Sequence, residues 1–270
     1  MAEARSEPNV SGQTEVPREV TRQRSIAILG VPISWIAIVG SLVGVGTLIQ
    51  VEILFVAPVG DHFQLSTVLA PLVGLVLGPY GGFAAAILGG IIGMFLNPAA
   101  YYMGVGNIMD LGMAALATGW IINKKWHWTA IMYVTMIVAY NIVPFYILNI
   151  YTPPIDPAVH LAMWFYYAGF GFLLSLGWNI LPSWARSENP GKLFVATWIL
   201  TWIGVAPGHL LGWIAYDVLF SFPMALNVIV GATVMPRQRL FILTVGALIS
   251  SAVLIALRRT GLRKIPRAAW

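Results

Sequence analysis

The sequence predicts an all-α polytopic membrane protein, a helical bundle of about eight or nine transmembrane segments, on the basis of three observations. Of its 270 residues, 59% are hydrophobic and only 9% are charged, which excludes a water-soluble domain. Apolar runs close to the length of a membrane-spanning helix recur along most of the chain. The runs lack the alternation of a transmembrane β-barrel, so helices that satisfy their own backbone groups are expected.

Turn residues and charges divide the chain into a predicted transmembrane domain, 26–257, between two polar ends. Residues 1–25 are polar and mixed in charge, which predicts a flexible cytoplasmic tail, and residues 258–270 predict a basic C-terminal tail. The predicted helices lie near 26–50, 64–78, 81–96, 105–122, 128–150, 160–184, 194–216, 218–236 and 239–257.

The positions of the basic residues predict how the helices are oriented. Lys and Arg occur in five groups, at 5–24, 124–125, 186–192, 237–239 and 258–267. The first four alternate with the predicted crossings as the positive-inside rule requires for a cytoplasmic N-terminus. The fifth group breaks this alternation, because a ninth crossing would carry it outside. Eight crossings would bring both ends inside, and the pattern is least regular within 194–257.

Composition also excludes several classes of function. With no cysteine, the chain has no disulfide, thiolate metal site or cysteine nucleophile. Its four histidines show no metal-ligand spacing, and no nucleotide-binding or serine-hydrolase motif is present, so neither a metal nor a cofactor is expected. Topology accounts for the net charge of +5, and no nucleic-acid partner is expected.

Residues 64–97 carry no charge and are interrupted by Gly78-Pro79-Tyr80-Gly81-Gly82. This pattern predicts a short helix, a tight turn and then a helix rich in small residues. Small residues one turn apart, as in Gly40 and Gly44 of the first helix, allow helix backbones to approach closely in lipid.

Five features in chain order resemble the S-component, the substrate-binding membrane subunit, of energy-coupling-factor (ECF) vitamin importers, most closely the riboflavin type. The resemblance covers residues 26–151, somewhat under half of the chain, and leaves 152–257 as additional and closing helices beside a six-helix core. The five features are the first helix (26–50), an outer loop (51–64), LAPLVGLVLGPYGG followed by FAAAILGGIIGMFLN (69–97), VGNIMDLGMAALATGWIINKK (105–125) and TAIMYVTMIVAYNIVPFYILNIY (129–151).

This resemblance implies a function, a location and partners. It implies a binding subunit for a small, vitamin-like nutrient in the lipid bilayer of a prokaryotic cell membrane. It further implies an ECF transmembrane coupling subunit and two ATPase subunits supplied in trans. Gly40 and Gly44 would then contact the coupling subunit, whereas packing within the chain is the alternative reading of the same glycines.

Asp110 is the only acidic residue that the sequence predicts within a span, and a carboxylate in the bilayer is costly unless it meets water, a partner or a ligand. A structural hydrogen bond near a helix start is the alternative. Asn141 and Asn149 are predicted to share a helix face with Phe145. By the resemblance, the site lies near the outer leaflet, with these polar and stacking residues: Gln64, Tyr101, Asn107, Asp110, Tyr140, Asn141 and Asn149.

Two other functions fit the same residues. A membrane-embedded enzyme acting on a lipid or prenyl substrate would use His209 and Asp217, eight residues apart on one helix face, as acid and base. A structural membrane protein of the envelope would need neither a ligand nor ATPase partners.

Overall fold

The all-α membrane architecture predicted from composition is confirmed. The structure is a computed structural model and describes residues 27–28, 30–51, 63–101, 103–151, 157–221, 223–262 and 264–270. Helices of sufficient length and apolar character to cross a membrane are Leu65–Leu96, Val105–Ile122, Trp126–Ile147, Pro190–Phe220 and Val230–Arg259. Two shorter apolar helices, Ile33–Gly46 and Trp164–Leu176, accompany them. The predicted tail, 1–25, lies outside the described residues.

The described residues form two pairs of short strands and a series of α-helices. Strand β1 (Ala27–Ile28) pairs antiparallel with β2 (Val31–Pro32), and β3 (Gln50–Val51) pairs with β4 (Phe63–Gln64). The helices are α1 (Ile33–Gly46), α2 (Leu65–Leu96), α3 (Val105–Ile122), α4 (Trp126–Ile142), α5 (Pro157–Ala162), α6 (Trp164–Leu176), α7 (Ile180–Trp184), α8 (Pro190–Phe220), α9 (Met224–Ile229) and α10 (Met235–Arg259). A 3₁₀ turn spans Pro98–Tyr101, and π-helical segments span Val143–Ile147 and Val230–Val234.

Helix α2 is a hairpin of two arms, 65–77 and 79–96, as the sequence predicts. Gly78 has φ 73° and ψ 179°, a conformation that L side chains rarely adopt. A Cβ added to Gly82 would lie 2.8 Å from the Gly74 Cα. In a continuous helix, residues eight apart would be separated by about 12 Å. The chain therefore reverses at Gly78-Pro79, and the two arms pack against each other.

The last third of the chain differs from the prediction. The expected helices 194–216, 218–236 and 239–257 are replaced by α8 and by one continuous helical run from α9 through Val230–Val234 to the end of α10. Arg239, which the prediction places with Arg237 at the junction between two spans, is 1% exposed within that run. Enclosure among protein side chains, rather than lipid, allows an arginine to lie inside a span. Asp217, predicted in a loop, is fully buried in α8.

Within the described residues the chain makes eight passes between two ends of the bundle, which agrees with the eight-crossing alternative. Trp35 and Trp270 have ring centres 6.3 Å apart, so the beginning of α1 and the last described residues lie together. We call this the basic end, because it gathers Lys124, Lys125, Arg186, Lys192, Arg258, Arg259, Lys264 and Arg267. The opposite end, with β3, β4 and Pro98–Tyr101, is called the far end. The positive-inside rule predicts that the basic end faces the cytoplasm.

Residues 264–270, called the C-terminal strap, close the first arm of α2 at the basic end. The Ala269 N–H donates to the Leu75 carbonyl at 2.8 Å, and the Trp270 indole N–H donates to the Val76 carbonyl at 3.0 Å. These carbonyls belong to the last turn before the break at Gly78, where a helix has no further N–H groups to offer. The strap thus supplies the missing donors, and the predicted basic tail includes a segment whose Ile265 and Trp270 side chains are buried.

The glycine face of α1 is covered by the second arm of α2. A Cβ on Gly40 would lie 2.9 Å from the Ala85 carbonyl oxygen, and one on Gly44 would lie 2.6 Å from the Ile92 side chain. Both glycines are buried within the chain. A coupling subunit cannot reach them without displacing that arm, so the structure favours close packing inside the protein over the predicted subunit contact.

Replacement of Gly44 with valine is expected to destabilise the protein by about 2 kcal/mol or more, because overpacking forces the second arm of α2 away from α1. The measurement is the unfolding transition of the purified protein in detergent. Gly171→Ala is the matched control, since a Cβ at Gly171 meets nothing within 4 Å. That control should leave stability unchanged or slightly raised. A Gly44→Val protein as stable as the control would contradict the close packing.

Candidate functional site

Asp110 and His209 form a close polar contact between α3 and α8. The Asp110 Oδ2 atom lies 3.4 Å from the His209 Nδ1 atom, and the two side chains are 15% and 24% exposed. Gly208 permits this contact, because a Cβ at that position would collide with the Asp110 carboxylate. Asp110 is in the second turn of α3, so the pair lies in the third of the bundle nearest the far end. Asp110, chosen from the sequence, thus has a specific partner that the sequence did not identify.

Asp217 forms a second buried carboxylate site two turns beyond His209. The Tyr151 hydroxyl donates to the Asp217 Oδ1 atom at 2.9 Å, and Asp217 is fully buried. Tyr140, a predicted stacking residue, is 4% exposed and within electrostatic range of Asp217. The enzyme alternative places His209 and Asp217 together as acid and base, whereas in the structure they contact Asp110 and Tyr151, respectively.

Arg239 brings a positive charge into the same region from α10. Its guanidinium lies 5.8 Å from the centre of the Phe165 ring, and Phe165 stacks on Trp202 at 4.8 Å. The neighbouring Tyr166 hydroxyl is within electrostatic range of both Arg239 and Asp110. Sequence reasoning missed this arginine because it placed Arg237 and Arg239 at the junction between two spans. The signal available was the apolar pattern on both sides, with no Gly or Pro between Pro236 and Gly246.

A small pocket lies within electrostatic range of Asp110, Asp217 and Arg239, and its walls are aromatic and sulfur-rich. Tyr140, Tyr166 and Trp213 line it together with Met163 and Met235. Two π-helical segments border the pocket. Val143–Ile147 begins three residues after Tyr140, and Val230–Val234 contains Gly231, another lining residue. Single π-helical turns inside α-helices occur frequently at functional sites. We call this pocket, together with the nearby Asp110, His209, Asp217 and Arg239, the polar cluster.

Tyr101 lies at the edge of the polar cluster. Its side chain is 5% exposed, and burial, aided by the charge of Asp110, raises the pKa of its hydroxyl to about 12. Tyr101 is therefore neutral throughout the physiological range and available as a hydrogen-bond donor near Asp110. Its hydroxyl has no hydrogen-bond partner among the described residues.

The remaining predicted site residues have structural contacts elsewhere. The Gln64 amide donates to the Ala100 carbonyl at 3.1 Å, which ties β4 to the 3₁₀ turn at the far end. The Asn107 side-chain oxygen accepts from the Met103 N–H at 2.9 Å at the start of α3. Neither contact brings the side chain into the pocket. Most of the predicted outer loop, at 52–62, lies outside the described residues.

The predicted shared face of Asn141, Phe145 and Asn149 is wrong. Asn141 donates to the Ile137 carbonyl at 2.7 Å and is half-buried, whereas Phe145 is buried and Asn149 is exposed with φ 50°. The physical reason is the π-helical segment Val143–Ile147, which adds a residue to the turn and rotates everything that follows.

The described residues contain no candidate metal site. Across the described parts of the chain, no group of three or more His, Asp or Glu side chains is placed to hold a metal ion.

Replacing Tyr151 with phenylalanine is expected to lower stability by roughly 1–3 kcal/mol, because the buried Asp217 loses a hydroxyl donor. The unfolding midpoint in detergent measures this change. Tyr146→Phe is the control, since Tyr146 is 57% exposed and should tolerate the same loss of a hydroxyl. Equal unfolding midpoints of the two variants would show that the Tyr151 hydrogen bond does not stabilise the protein.

Comparisons with known proteins give one distant relative and no family. The chain is 27% identical over 179 residues to an uncharacterized protein, MJ0923, of Methanocaldococcus jannaschii. The aligned part covers 66% of this chain and 56% of that protein, so the chain spans little more than half of its relative's length. No family model matches the chain, and no solved structure matches it.

Proposed function

We propose that the protein is a membrane-embedded binding subunit that takes a small nutrient into the polar cluster. The observation that carries this proposal is that Asp110 with its partner His209, Asp217 and Arg239 lie within electrostatic range of the tyrosines that line one pocket inside the bundle. Ionisable side chains within a membrane are costly and typically mark a substrate or ion pathway. A few polar groups converging on an aromatic pocket are the usual composition of a small-molecule site.

Uptake through such a subunit requires an energy source from another chain. The sequence contains no nucleotide-binding loop of its own. The resemblance of residues 26–151 to ECF S-components supports a coupling subunit and two ATPases as the partners. With Gly40 and Gly44 covered, such a coupling subunit would have to dock on another part of the surface.

The Asp110–His209 contact favours one other candidate function. A carboxylate beside an imidazole is a common arrangement for moving a proton, so a membrane enzyme using this pair is the alternative. The two functions differ in what the isolated protein does. A binding subunit retains a stoichiometric ligand unchanged, whereas an enzyme converts its substrate without partner chains.

The experiment that tests the proposal is native mass spectrometry of the purified protein, followed by extraction and identification of any bound small molecule. We expect one ligand per protein chain, released unchanged after prolonged incubation. The variant Asp110→Asn should be purified with less ligand, while Glu188→Gln, an exposed acidic position at the basic end, should retain it. A protein that carries no ligand and binds no vitamin-sized compound would refute the binding function. Conversion of the ligand would favour the enzyme.

A further inference from the structure

Two exposed basic residues with left-handed backbones lie together at the basic end. Lys124, just after α3, has φ 58°, and Arg267, in the C-terminal strap, has φ 69°. The Asn123 side-chain amide donates to the Arg267 carbonyl at 2.9 Å, so the end of α3 and the strap are held against each other. Residues other than glycine rarely adopt this conformation, and such positions cluster at functional sites. The fold thus holds two positive side chains close to each other.

Neighbouring arginines add charge at the same place. Arg186 donates to the carbonyl of Ile122, the last residue of α3. Arg258 donates to the Ala185 carbonyl at 2.6 Å. A carbonyl acceptor carries no net charge, so these hydrogen bonds leave both guanidinium groups positive. Arg186 and Arg258 are within electrostatic range of each other, and Glu188 is within range of Arg258. One carboxylate does not offset both arginines.

The basic end as a whole carries an excess of positive charge. Eight of the described basic side chains lie there, and Glu188 is the one described acidic side chain that accompanies them. The other acidic residues that the structure describes, Asp110 and Asp217, belong to the polar cluster near the far end. Residues 1–25 contain four acidic and four basic residues, so they do not change the balance. An anion is therefore the partner that this end favours.

Tryptophans place these charges at the boundary of the membrane. Trp126 begins α4 directly after two lysines, and Trp128 is 49% exposed, with its ring centre 6.4 Å from that of Trp120. Tryptophan is enriched where lipid headgroups meet the apolar core. The span Trp126–Ile147 that starts here has only 22% of its apolar window buried in the protein, so much of it faces lipid. Lys124 consequently lies at the level of the headgroups, where a long basic side chain reaches a lipid phosphate.

We propose that Lys124 and Arg267 bind the phosphate of an anionic phospholipid in the leaflet next to the basic end. The Arg267 guanidinium lies 5.9 Å from the centre of the Tyr80 ring, and a guanidinium held against an aromatic ring keeps donors at its edge for a phosphate. A lipid with net negative charge is preferred over a zwitterionic one, because the excess positive charge of this end repels a cationic headgroup such as choline. This inference concerns the surface of the protein and does not rest on the proposed solute-binding function.

Titration with two lipids that share their acyl chains tests the inference. The full-length protein in a neutral detergent is titrated with dioleoylphosphatidylglycerol or dioleoylphosphatidylcholine, and bound lipid is counted by native mass spectrometry. A basic residue beside an anionic lipid contributes about fivefold in affinity, so two should favour phosphatidylglycerol on the order of 25-fold for the first lipid bound. Equal affinity for the two lipids, or preference for phosphatidylcholine, would overturn the proposal.

Charge-removing variants test whether the preference belongs to these two residues. Lys124→Gln and Arg267→Gln should each lower the affinity for the first phosphatidylglycerol about fivefold and leave phosphatidylcholine binding unchanged. Lys192→Gln is the matched control, because it removes an exposed charge from the first turn of α8 at the same end. Equal losses in all three variants would show a diffuse attraction and overturn the site. No loss in Lys124→Gln would also overturn it, even if Arg267→Gln, which alters the strap, does not fold.

Competition separates a lipid from other anions that share its chemistry. At constant ionic strength, neither inorganic phosphate nor hexaglutamate should displace the first phosphatidylglycerol, because both lack the acyl chains that hold the headgroup at the membrane boundary. Displacement by phosphate would assign the site to a soluble anion, and displacement by hexaglutamate would assign it to an acidic protein segment. Either result would overturn the lipid assignment.

Discussion

Trp270→Ala is expected to lower the free energy of unfolding by about 3 kcal/mol, because a buried tryptophan is removed from the junction between α1 and the first arm of α2. Trp270 is 6% exposed, lies against Trp35 and donates to the Val76 carbonyl. Deletion of the whole strap, 264–270, should cost more, since the Leu75 carbonyl then also loses its donor. Thermal or denaturant unfolding of the purified protein in detergent measures both changes.

Two controls separate packing from hydrogen bonding in the strap. Trp270→Phe retains much of the ring but removes the indole N–H, and should cost about 1 kcal/mol for the lost hydrogen bond plus a smaller packing term. Leu262→Ala alters an exposed residue just before the strap and should change stability by less than about 0.5 kcal/mol. Indistinguishable unfolding of Trp270→Ala and Leu262→Ala would mean that the strap does not stabilise the hairpin.

Asp110→Ala is expected to reduce ligand retention at least tenfold and to destabilise the protein by about 1–3 kcal/mol, because His209 loses its carboxylate partner inside the bundle. The partial exposure of both side chains places this estimate below that for a fully buried pair. Ligand content by native mass spectrometry and the unfolding midpoint are measured on the same samples.

A double-mutant cycle tests whether Asp110 and His209 act as a pair. His209→Ala alone should resemble Asp110→Ala, and the double variant should be less destabilised than the sum of the two, with a coupling of about 1 kcal/mol. Additive effects would contradict the pairing. His127→Ala is the control for loss of an imidazole, since His127 is exposed beside the basic end and contacts Trp126 and Trp128 rather than the polar cluster.

Together these tests separate the scaffold from the site. The strap and the glycine contacts of α1 determine how the hairpin α2 is held, at the basic end and along α1. The polar cluster lies near the far end, where α3, α4, α6, α8 and α10 supply its side chains. Variants of the strap should therefore affect the free energy of unfolding more than ligand retention. Variants of the polar cluster should affect ligand retention more than the free energy of unfolding.

Much of the fold follows from local sequence signals. Apolar runs with few charges require helices in lipid, and Gly78 followed by Pro79 requires a break, because glycine tolerates the positive φ there and proline begins a new helix well. Asp110 was also identifiable, since an acid in a predicted span is costly wherever it lies. These features depend on the residue itself and its immediate neighbours.

The wrong predictions concern residues whose surroundings in the fold differ from those that local sequence rules assume. Arg237 and Arg239 look like the boundary between two spans when lipid is assumed around the helix, yet Arg239 is enclosed by protein. The face shared by Asn141 and Asn149 assumed a regular helix, and a π-helical segment between them removed it. In each case, the free-energy cost of burying a side chain, or the direction in which it points, depends on surroundings that the sequence does not show.

The sequence by itself determined that the chain is a helical membrane protein, where its hairpin turns, and that Asp110 needs a partner. Only the tertiary structure decided that the partner is His209, that Asp217 and Arg239 are internal, and that residues 264–270 cap the first arm of α2. The physical reason is the separation along the chain. Asp110 and His209 are about a hundred residues apart, and no pattern within one helix reports which side chain a distant helix brings beside it.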